Sequence, residues 1–234
     1  MRKLITITLL LGCLVVKGQR GWYWSNVNKT PKLAKIFSID GQSGTGSRTH
    51  SLTNVPSGAL IVISVQSEDD AGDASISSSP TLTWTKRADA PLTTHSGNAE
   101  IWTAVYTAGG SITITSNFGA SSEQSSTAWV ITGQESTLGG ANATVSAQSA
   151  PSRTITSTRA NSILICVSSD WNAVNGSSRA YRDNATEGYY YFSSTNTTGY
   201  HYYKLAATVT TYTEGLTAPT GQSAGTAVLE IRSP

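Results

Sequence analysis

The densest group of chemically active side chains in this sequence is an acidic run. Four carboxylates lie within a six-residue stretch, at Glu68, Asp69, Asp70 and Asp73. Carboxylates in a loop suit Ca²⁺, which takes about six to eight oxygen ligands in variable geometry. The spacing is not that of an EF-hand, so the sequence favours a solvated acidic loop over a calcium site. We therefore predict no cofactor; the one candidate to test is Ca²⁺, with these four residues as its candidate ligands.

Side chains that could catalyse a reaction are present, but they form no catalytic motif. The three histidines, His50, His95 and His201, have no metal-ligand spacing. The chain contains 33 serines and 33 threonines, so a hydroxyl close to a histidine in sequence carries no information. No Gly-x-Ser-x-Gly motif occurs, and with 14 acidic residues some carboxylate pairs are expected by chance. We predict that the protein is not an enzyme.

Two aromatic runs late in the chain indicate a second candidate site. Residues 189–192 and 200–203 flank a loop rich in Ser, Thr, Asn and Gly. If the runs pair as a hairpin, alternate side chains share a face, and an exposed row of tyrosines could stack on a sugar ring. The candidate ligand-binding residues are Tyr189, Tyr191, Tyr200, Tyr202 and Tyr203, with Arg182 available for sugar hydroxyls. The sequence favours a second interpretation, that both aromatic sets pack in the core, because a sandwich needs large residues and this chain has only three Phe.

The N-terminus has the pattern of a secretory signal peptide. Arg2 and Lys3 precede an apolar run over residues 4–16, and a lysine and a glycine end it. The run is shorter than the ~20 apolar residues of a stable membrane span. We expect residues 1–18 to be cleaved. The alternatives are a lipoprotein that is lipidated at Cys13 and a segment that is retained.

Cleavage at this point leaves a nearly neutral chain. Residues 1–18 include three of the 16 basic residues, so 13 remain against 14 acidic ones. No basic stripe is left to follow a phosphate backbone, which argues against nucleic acid as a partner. Cys166 is then the only cysteine; it lies in an apolar run, where we expect a small buried hydrophobe. The expected location is extracellular, at a cell surface.

An aromatic arm follows the expected cleavage site. Residues 19–37 have no clean periodicity, and Trp22, Tyr23 and Trp24 lie near their start. Three large aromatic side chains are unfavourable to expose, so they must pack against something. One interpretation is that the arm adds to the sheet of a neighbouring molecule and mediates assembly. The other is that the arm packs on the flank of its own first domain.

The rest of the chain has the composition of strands and turns. Residues 98–118 hold two runs of β-branched and aromatic residues around Gly109 and Gly110, which predicts a hairpin. Residues 59–65 are apolar on both faces, as in a central strand. Further strands are predicted over residues 48–55, 82–86 and 126–132.

The strand pattern occurs twice. Residues 58–65 align with residues 160–167, and residues 127–132 align with residues 226–231. A repeat of about a hundred residues is a duplicated domain, because solenoid repeats are shorter. The sequence therefore predicts an all-β chain with two tandem antiparallel β-sandwich domains. Their predicted bounds are 38–138 and 139–234, with a Gly-rich linker at the junction.

The order of these blocks resembles that of the immunoglobulin-like β-sandwich modules of secreted bacterial surface proteins and phage virion proteins. The resemblance rests on Leu-Thr-Trp-Thr at residues 82–85, Glu-Ile-Trp-Thr-Ala-Val-Tyr at 100–106 and Ala-Trp-Val-Ile-Thr-Gly at 128–133. The Cys–Trp–Cys core of antibody domains is absent. The resemblance implies immunoglobulin-like folding and a role as a spacer, adhesive unit or building block. It transfers no catalytic residue.

These observations favour a non-catalytic, secreted structural or adhesive protein that self-assembles through its N-terminal arm. The expected partners are copies of itself or other surface proteins. One alternative is a carbohydrate-binding surface protein that uses the tyrosine row. Another is a surface or decoration protein of a virion, in which residues 1–18 would be retained.

Overall fold

The computed structural model describes residues 33–68, 72–91, 97–146 and 150–234. These residues form sixteen β-strands and one short 3₁₀ turn, Arg182–Asn184. The paired strands are antiparallel throughout, so the predicted all-β class is confirmed. Residues 1–18 and the arm residues Trp22, Tyr23 and Trp24 lie outside the described residues, as does His95.

Eight strands come from the first half of the chain. They are β1 (Lys35–Thr45), β2 (Arg48–Val55), β3 (Ala59–Ser67), β4 (Ser75–Ser79), β5 (Thr85–Asp89), β6 (Asn98–Tyr106), β7 (Gly110–Asn117) and β8 (Glu123–Thr132). The strand predicted over residues 48–55 is β2, with the same bounds. β1 begins inside the segment that the sequence assigned to the arm, because its first residues already pair with β8.

Eight more strands come from the second half. They are β9 (Ala141–Ser146), β10 (Ser152–Thr156), β11 (Ser162–Asp170), β12 (Ala180–Tyr181), β13 (Thr186–Phe192), β14 (Thr198–Ala206), β15 (Thr211–Ala218) and β16 (Ala224–Ile231). The 3₁₀ turn separates β12 from β13.

The strands form four sheets. Sheet I has the order β1-β8-β3-β6-β5, and sheet II has the order β2-β7-β4. Sheet III has the order β9-β16-β11-β14-β13, and sheet IV has the order β10-β15-β12. When β9 to β16 are counted as first to eighth, sheets III and IV repeat the strand orders of sheets I and II.

This connectivity differs from the immunoglobulin-like one that the sequence suggested. In an immunoglobulin sandwich the first and last strands lie in different sheets, whereas here β1 pairs with β8 and β9 pairs with β16. Pairing of first with last, second with seventh and third with sixth is the pattern of a jelly roll. The fifth strand departs from that pattern, because β5 joins β6 in sheet I.

Sheets I and III pack face to face. Leu60, Val62 and Trp129 of sheet I meet Ile163 and Ile165 of sheet III in one apolar cluster, which we call the central core. β3 and β11 are buried at every position, because their opposite faces are covered by sheets II and IV. The sequence predicted that β3 is apolar on both faces. Both faces are buried because one packs against sheet II and the other against sheet III of the second half.

Each half also has a core of its own. Ile61, Ile63 and Ile114 lie between sheets I and II, and Leu164 and Leu216 lie between sheets III and IV. Since successive side chains of a strand point to opposite faces, alternate residues of β3 serve the central core and the core of the first half. The sheets therefore stack as four layers in the order II, I, III, IV.

The strand contacts between the two halves are self-matching: each contact has an equivalent when the first half is exchanged with the second. β3 lies against β11, β6 against β16 and β8 against β14, while β1 lies against β13 and β5 against β9. Exchanging the halves maps this set of contacts onto itself. An interface with this property is isologous, as in a two-fold symmetric dimer.

The sequence predicts two hairpins, and one of them forms. β13 and β14 pair as expected, with Tyr190 opposite Tyr200. The hairpin predicted over residues 98–118 is wrong, because β6 lies in sheet I and β7 lies in sheet II. The intervening residues carry the chain from one sheet to the other. A glycine-rich turn reverses the chain locally, but it does not decide which strand becomes the neighbour.

Candidate functional site

A lysine and three carboxylates lie close together beside β5, an edge strand of sheet I, and β4, an edge strand of sheet II. Lys86 and Asp89 lie on β5, Glu100 lies on β6, and Asp73 precedes β4. We call Asp73, Asp89 and Glu100 the carboxylate cluster. A β-bulge interrupts β5 between Lys86 and Ala88. In a regular strand, residues three apart face opposite sides, but the extra residue of the bulge brings Lys86 and Asp89 to the same side.

Glu100 is the fully buried member of the cluster. Its carboxylate accepts hydrogen bonds from Asn98 Nδ2 at 2.8 Å, from Trp102 Nε1 at 2.5 Å and from the Ala74 backbone N–H at 3.2 Å. Burial raises the pKa of Glu100 to about 7, because the hydrogen bond from Trp102 and the nearby positive charge offset it only in part. At neutral pH this carboxyl group is therefore poised between its two protonation states.

Lys86 supplies positive charge to the cluster. Its Nζ contacts Asp73 Oδ1, lies 2.5 Å from Asp89 Oδ2 and lies 3.9 Å from Glu100 Oε1. Nζ also lies 5.9 Å from the centre of the Trp102 ring, within cation–π range. Burial would lower the pKa of Lys86, but the hydrogen bonds to Asp73 and Asp89 outweigh it and raise the pKa. The ammonium therefore stays charged and acts as a counter-ion.

The carboxylate cluster has the dimensions of a cation site. One carboxylate oxygen from each of Asp73, Asp89 and Glu100 lies within 4.8 Å of the others. Two oxygens bound to one Ca²⁺ at about 2.4 Å can be at most about 4.8 Å apart. The three residues could therefore hold a single divalent cation, and Lys86 Nζ lies among them.

Two of the four predicted calcium ligands, Glu68 and Asp73, lie among the described residues, and one of these two belongs to this cluster. That residue is Asp73. Glu68 accepts a hydrogen bond from the Glu123 backbone N–H at 3.1 Å. Asp69 and Asp70 lie outside the described residues, so the calcium loop that the acidic run suggested stays a prediction.

Asp40, His50 and Ser126 form a second constellation, with the distances of a catalytic triad. His50 Nε2 lies 2.8 Å from Ser126 Oγ, and His50 Nδ1 lies 3.0 Å from Asp40 Oδ2. Ser126 and His50 are fully buried, so the serine hydroxyl is closed to a substrate. Burial lowers the pKa of His50, although the hydrogen bond to Asp40 acts against it. We interpret this constellation as a structural link between β1, β2 and β8.

A buried polar network lies within the contact between the two halves. The His201 ring lies 2.9 Å from Ser64 Oγ and 2.9 Å from Ser125 Oγ. Trp129 Nε1 donates to Ser64 Oγ, and Gln66 Nε2 donates to Ser125 Oγ. Burial lowers the pKa of His201 to about 3, and the charge of His50 lowers it too. His201 is therefore neutral, and its two ring nitrogens both bond to hydroxyls of the first half.

The predicted row of exposed tyrosines does not form. Tyr200 and Tyr202 are fully buried in the core of the second half. Tyr190 packs on Tyr200 with ring centres 5.5 Å apart, and Tyr181 packs on Tyr202 with ring centres 4.7 Å apart. These rings are inside because sheet IV covers that face of β14. The structure therefore supports core packing for Tyr200 and Tyr202, the interpretation that the sequence favoured.

Tyr189 and Tyr191 turn towards the first half. Tyr189 Oη lies 2.8 Å from Ser43 Oγ, and Tyr191 Oη donates to Glu123 Oε2 at 3.2 Å. Both side chains are half-buried. They serve the contact between β13 and the strands of sheet I.

Tyr203 and Arg182 complete the set of predicted ligand-binding residues. Tyr203 packs edge-on against Trp129 with ring centres 5.9 Å apart, so it borders the central core. Arg182 begins the 3₁₀ turn that follows β12. The six predicted residues are thus distributed over two faces of sheet III and the neighbouring turn, and do not line one surface.

Sequence reasoning missed Asp89, Glu100 and the triad-like group. Glu100 had a usable signal, because it is the one acidic residue in the apolar and aromatic strand β6. Asp40, His50 and Ser126 had none, because they lie on three strands that are distant in sequence.

Comparison with known proteins gives no match: no family model fits this chain, and neither a curated protein nor a solved structure matches it. Among the described residues, the chain forms no apolar helix of the length that crossing a bilayer requires.

Proposed function

We propose that the protein is a non-catalytic, secreted structural or adhesive module that self-associates through its N-terminal arm and strand β1. The observation that carries this proposal is a row of exposed apolar side chains at the edge of sheet I. Leu33, Phe37 and Ile39 are 53%, 46% and 38% exposed. All three lie on β1 or just before it.

Strand β1 is suited to receiving another strand. In the described part of the chain it pairs with β8 on one side only. With 11 residues it is also the longest of the described strands. An edge strand presents unpaired backbone N–H and C=O groups, and proteins usually protect such edges with charged residues or proline. Exposed apolar residues on this edge favour strand addition by a partner.

A cleft beside the row could receive an aromatic side chain. It has a volume of about 810 Å³ and is lined by Leu33 and Phe37 on one side and by Pro56 on the other. Trp24 precedes Leu33 by nine residues, and an extended chain of that length spans about 30 Å. An extended arm could therefore carry Trp24 up to about 30 Å from Leu33.

We also propose that the chain is a tandem pair of duplicated sandwich domains, divided between residues 138 and 139. The first domain begins before the predicted residue 38, because β1 starts at Lys35. The identical strand orders of the two halves support this proposal. So does the self-matching contact between them, which is what a former homodimer would leave after fusion. Two sandwiches joined over a broad apolar face form a rigid unit, which suits a structural role.

The carbohydrate-binding alternative has less support, because Tyr200 and Tyr202 are buried. The virion alternative involves the same self-association. It differs in that residues 1–18 would be retained. Intact-mass spectrometry of the native protein would show whether they are present.

Light scattering coupled to size-exclusion chromatography tests the self-association. We expect the protein to form oligomers or polymers, and deletion of residues 19–32, which leaves β1 complete, to give folded monomers. Phe37→Glu should have the same effect, because it places a charge in the contact. Val209→Glu is the matched control: Val209 is 59% exposed and lies just before β15 in the second half, so this variant should assemble normally.

Two results would overturn the proposal. One is a wild-type protein that stays monomeric at every concentration tested. The other is assembly that survives both the deletion and Phe37→Glu. Circular dichroism of each variant separates loss of assembly from loss of fold.

A further inference from the structure

Sheet III leaves part of the face of sheet I uncovered. Ile101, Thr103 and Val105 alternate along β6, so their side chains share the face that packs on sheet III. Ile101 belongs to the central core and Thr103 is 2% exposed, whereas Val105 is 53% exposed. The cover that sheet III provides therefore ends beyond Thr103, and the end of β6 lies open on a face that is otherwise buried.

Two adjoining clefts lie beside this uncovered part of the sheet. Their volumes are about 570 Å³ and about 480 Å³. Both are lined by Arg87 of β5 and by Ser136 and Leu138 of the segment that joins β8 to β9. Because the clefts share these three residues, they form one continuous groove, which we call the linker groove.

Hydrogen bonds hold the joining segment in place, so the linker groove is preformed. The Glu135 backbone N–H donates to the Arg232 carbonyl oxygen of the second half at 2.9 Å. Gln134 Nε2 donates to the Gly58 carbonyl oxygen of the first half at 3.1 Å. Because this wall is tied to both halves, a ligand would not have to order it on binding.

Arg87 is the charged residue of the linker groove that has no ion-pair partner among the described residues. Lys86 is held by its carboxylates, and Glu135 pairs with Arg159. Arg87 Nε donates to Thr103 Oγ1 at 2.8 Å, which fixes the orientation of the guanidinium. Its two terminal NH₂ groups stay available, and a guanidinium offers such groups to an anionic oxygen pair in a geometry that suits carboxylate.

The other polar side chains of the linker groove are mostly hydroxyls. A hydroxyl both donates and accepts hydrogen bonds, as the hydroxyls of a sugar do, so walls of this type suit a carbohydrate. The hydroxyl-bearing residues of the lining are Thr83, Thr85, Thr103, Ser136 and Thr137.

The position of the linker groove disfavours a peptide as its ligand. A peptide strand adds to a sheet by bonding to the free backbone groups of an edge. The linker groove instead lies over the face of β5 and β6, where Thr85 is paired with Thr103 and the two backbones already bond to each other. A ligand in the groove therefore meets side chains, which is how a sugar would be recognised.

We propose that the linker groove binds an acidic oligosaccharide, with Arg87 on the anionic group and the threonine hydroxyls of Thr85 and Thr103 on the sugar hydroxyls. A carboxylate and a sulfate ester both match the guanidinium. This surface is distinct from the tyrosines of sheet III. It is also independent of the proposed self-association, because β1 and β5 form opposite edges of sheet I.

Isothermal titration calorimetry of the purified protein tests the site with three probes: an oligomer of galacturonic acid, a sulfated dextran and an uncharged dextran. We expect at least one of the two acidic probes to bind, and the uncharged dextran to bind at least about tenfold more weakly. Arg87→Gln removes the charge and should weaken binding by about tenfold or more. Val105→Glu places a negative charge in the groove and should weaken it similarly, whereas Phe37→Glu should bind normally.

Leu205→Glu is the matched control for Val105→Glu. Leu205 is 60% exposed and lies opposite Ile163 on β14, just as Val105 lies opposite Leu60 on β6. This variant adds the same charge at the equivalent position of the second half and should leave binding unchanged.

Four results would overturn the proposal. Neither acidic probe binds at millimolar concentration, or the uncharged dextran binds as tightly as they do. Arg87→Gln binds as the wild type does, or polyglutamate competes as strongly as the sugars, which would mean that the groove recognises charge alone. Binding of the sulfated dextran without the galacturonic acid oligomer would support the proposal and identify sulfate as the anionic group. Circular dichroism confirms that each variant is folded.

Discussion

Among the described residues four acidic side chains are buried, those of Glu100, Asp170, Glu214 and Glu230, and their surroundings differ. Burial would raise the pKa of Glu230, but hydrogen bonds from Thr158, Ser162 and the Arg159 backbone outweigh it and lower the pKa. Glu100 lies in the carboxylate cluster beside Lys86. Asp170 accepts hydrogen bonds from the backbone N–H groups of Asn172, Val174 and Ser223, and burial still raises its pKa to about 6. Glu214 is fully buried between sheets III and IV, and its oxygens have no hydrogen-bond partner other than the weak donor offered by the Cys166 thiol. Burial and the charge of Asp183 raise the pKa of Glu214 to about 7. Glu214 is therefore the acidic residue whose ionisation opposes folding most directly.

We predict that Glu214→Gln stabilises the protein at about pH 8 and has little effect at about pH 4. The pKa of Glu214 rises from 4.5 to about 7 on folding. A raised pKa means that the folded state binds the Glu214 proton more tightly than the unfolded state does. The protonated carboxyl group therefore contributes its full share to the free energy of unfolding below pH 4.5, and this share is lost as the pH rises to about 7. The loss corresponds to about 3 kcal/mol. Urea unfolding at both pH values measures it.

The partly exposed Glu135→Gln variant is the control for this comparison, and we expect it to change the free energy of unfolding by less than about 1 kcal/mol at either pH. If Glu214→Gln changed stability equally at both pH values, the raised pKa would not be the cause.

At the scale of the strands, burial on both faces explains an error in the sequence alignment. The alignment of residues 58–65 with residues 160–167 matches Ile61 with Ile163. In the structure Ile61 lies in the core of the first half, whereas Ile163 lies in the central core. Aligning Leu60 with Ile163 instead pairs two residues that both point into the central core. A strand that is apolar on both faces lacks the apolar–polar alternation that normally sets the register of an alignment. An alignment that is shifted by one residue therefore still matches apolar residues with apolar residues.

Glycine at position 188 allows β13 to approach the central core closely. Gly188 lies at a β-bulge of β13, and a Cβ atom there would lie 2.2 Å from Trp129 Cη2. Trp129 is fully buried and packs edge-on against Tyr203, so it has no room to withdraw. The bulge and the glycine together let a large ring of one half pack against the backbone of the other.

We predict that Gly188→Ala destabilises the protein by about 1–3 kcal/mol, because overpacking shifts the ring or the strand. Gly140→Ala is the matched control: a Cβ at Gly140 meets no atom within 4 Å, so its effect should be within about 0.5 kcal/mol. Urea unfolding midpoints of both variants measure the difference. Equal effects would mean that the contact with Trp129 is not tight.

At the scale of the whole molecule, the central core is shared by the two halves. Each half alone would expose the outer face of its five-stranded sheet, including Leu60 and Trp129 in the first and Ile163 and Ile165 in the second. An apolar face of that kind is not stable in water. The halves are therefore expected to depend on each other, although each has its own inner core.

We predict that residues 33–138, produced separately, form dimers or aggregates and not soluble monomers. Residues 139–234 should behave likewise, and co-expression should give a one-to-one complex, because each half covers the face that the other exposes. Light scattering and circular dichroism of the separate and co-expressed halves test this. Two well-folded monomers would show that the central core contributes little to stability.

Several features of the fold could be predicted from the sequence because their causes are local. β-branched and aromatic residues marked β2, β3 and β8, and the paired aromatic runs marked the β13–β14 hairpin. The hairpin predicted over residues 98–118 failed for the opposite reason: the choice between one sheet and the other depends on distant strands. The sequence predicted only Asp73 of the candidate site. Lys86 and Asp89 face the same side through a bulge in β5 that their residue types do not predict, and Glu100 comes from the neighbouring strand β6.

By itself, the sequence determined that this chain is all-β and that its strand pattern occurs twice, since pleated strands and turns follow from short-range chemistry. The tertiary structure alone decided the strand order and the back-to-back packing of the two five-stranded sheets. It also decided that His50 and His201 are buried among hydroxyls and that three carboxylates surround Lys86. All of these depend on contacts between residues that are far apart in the chain, where spacing in the sequence carries no information about distance in space.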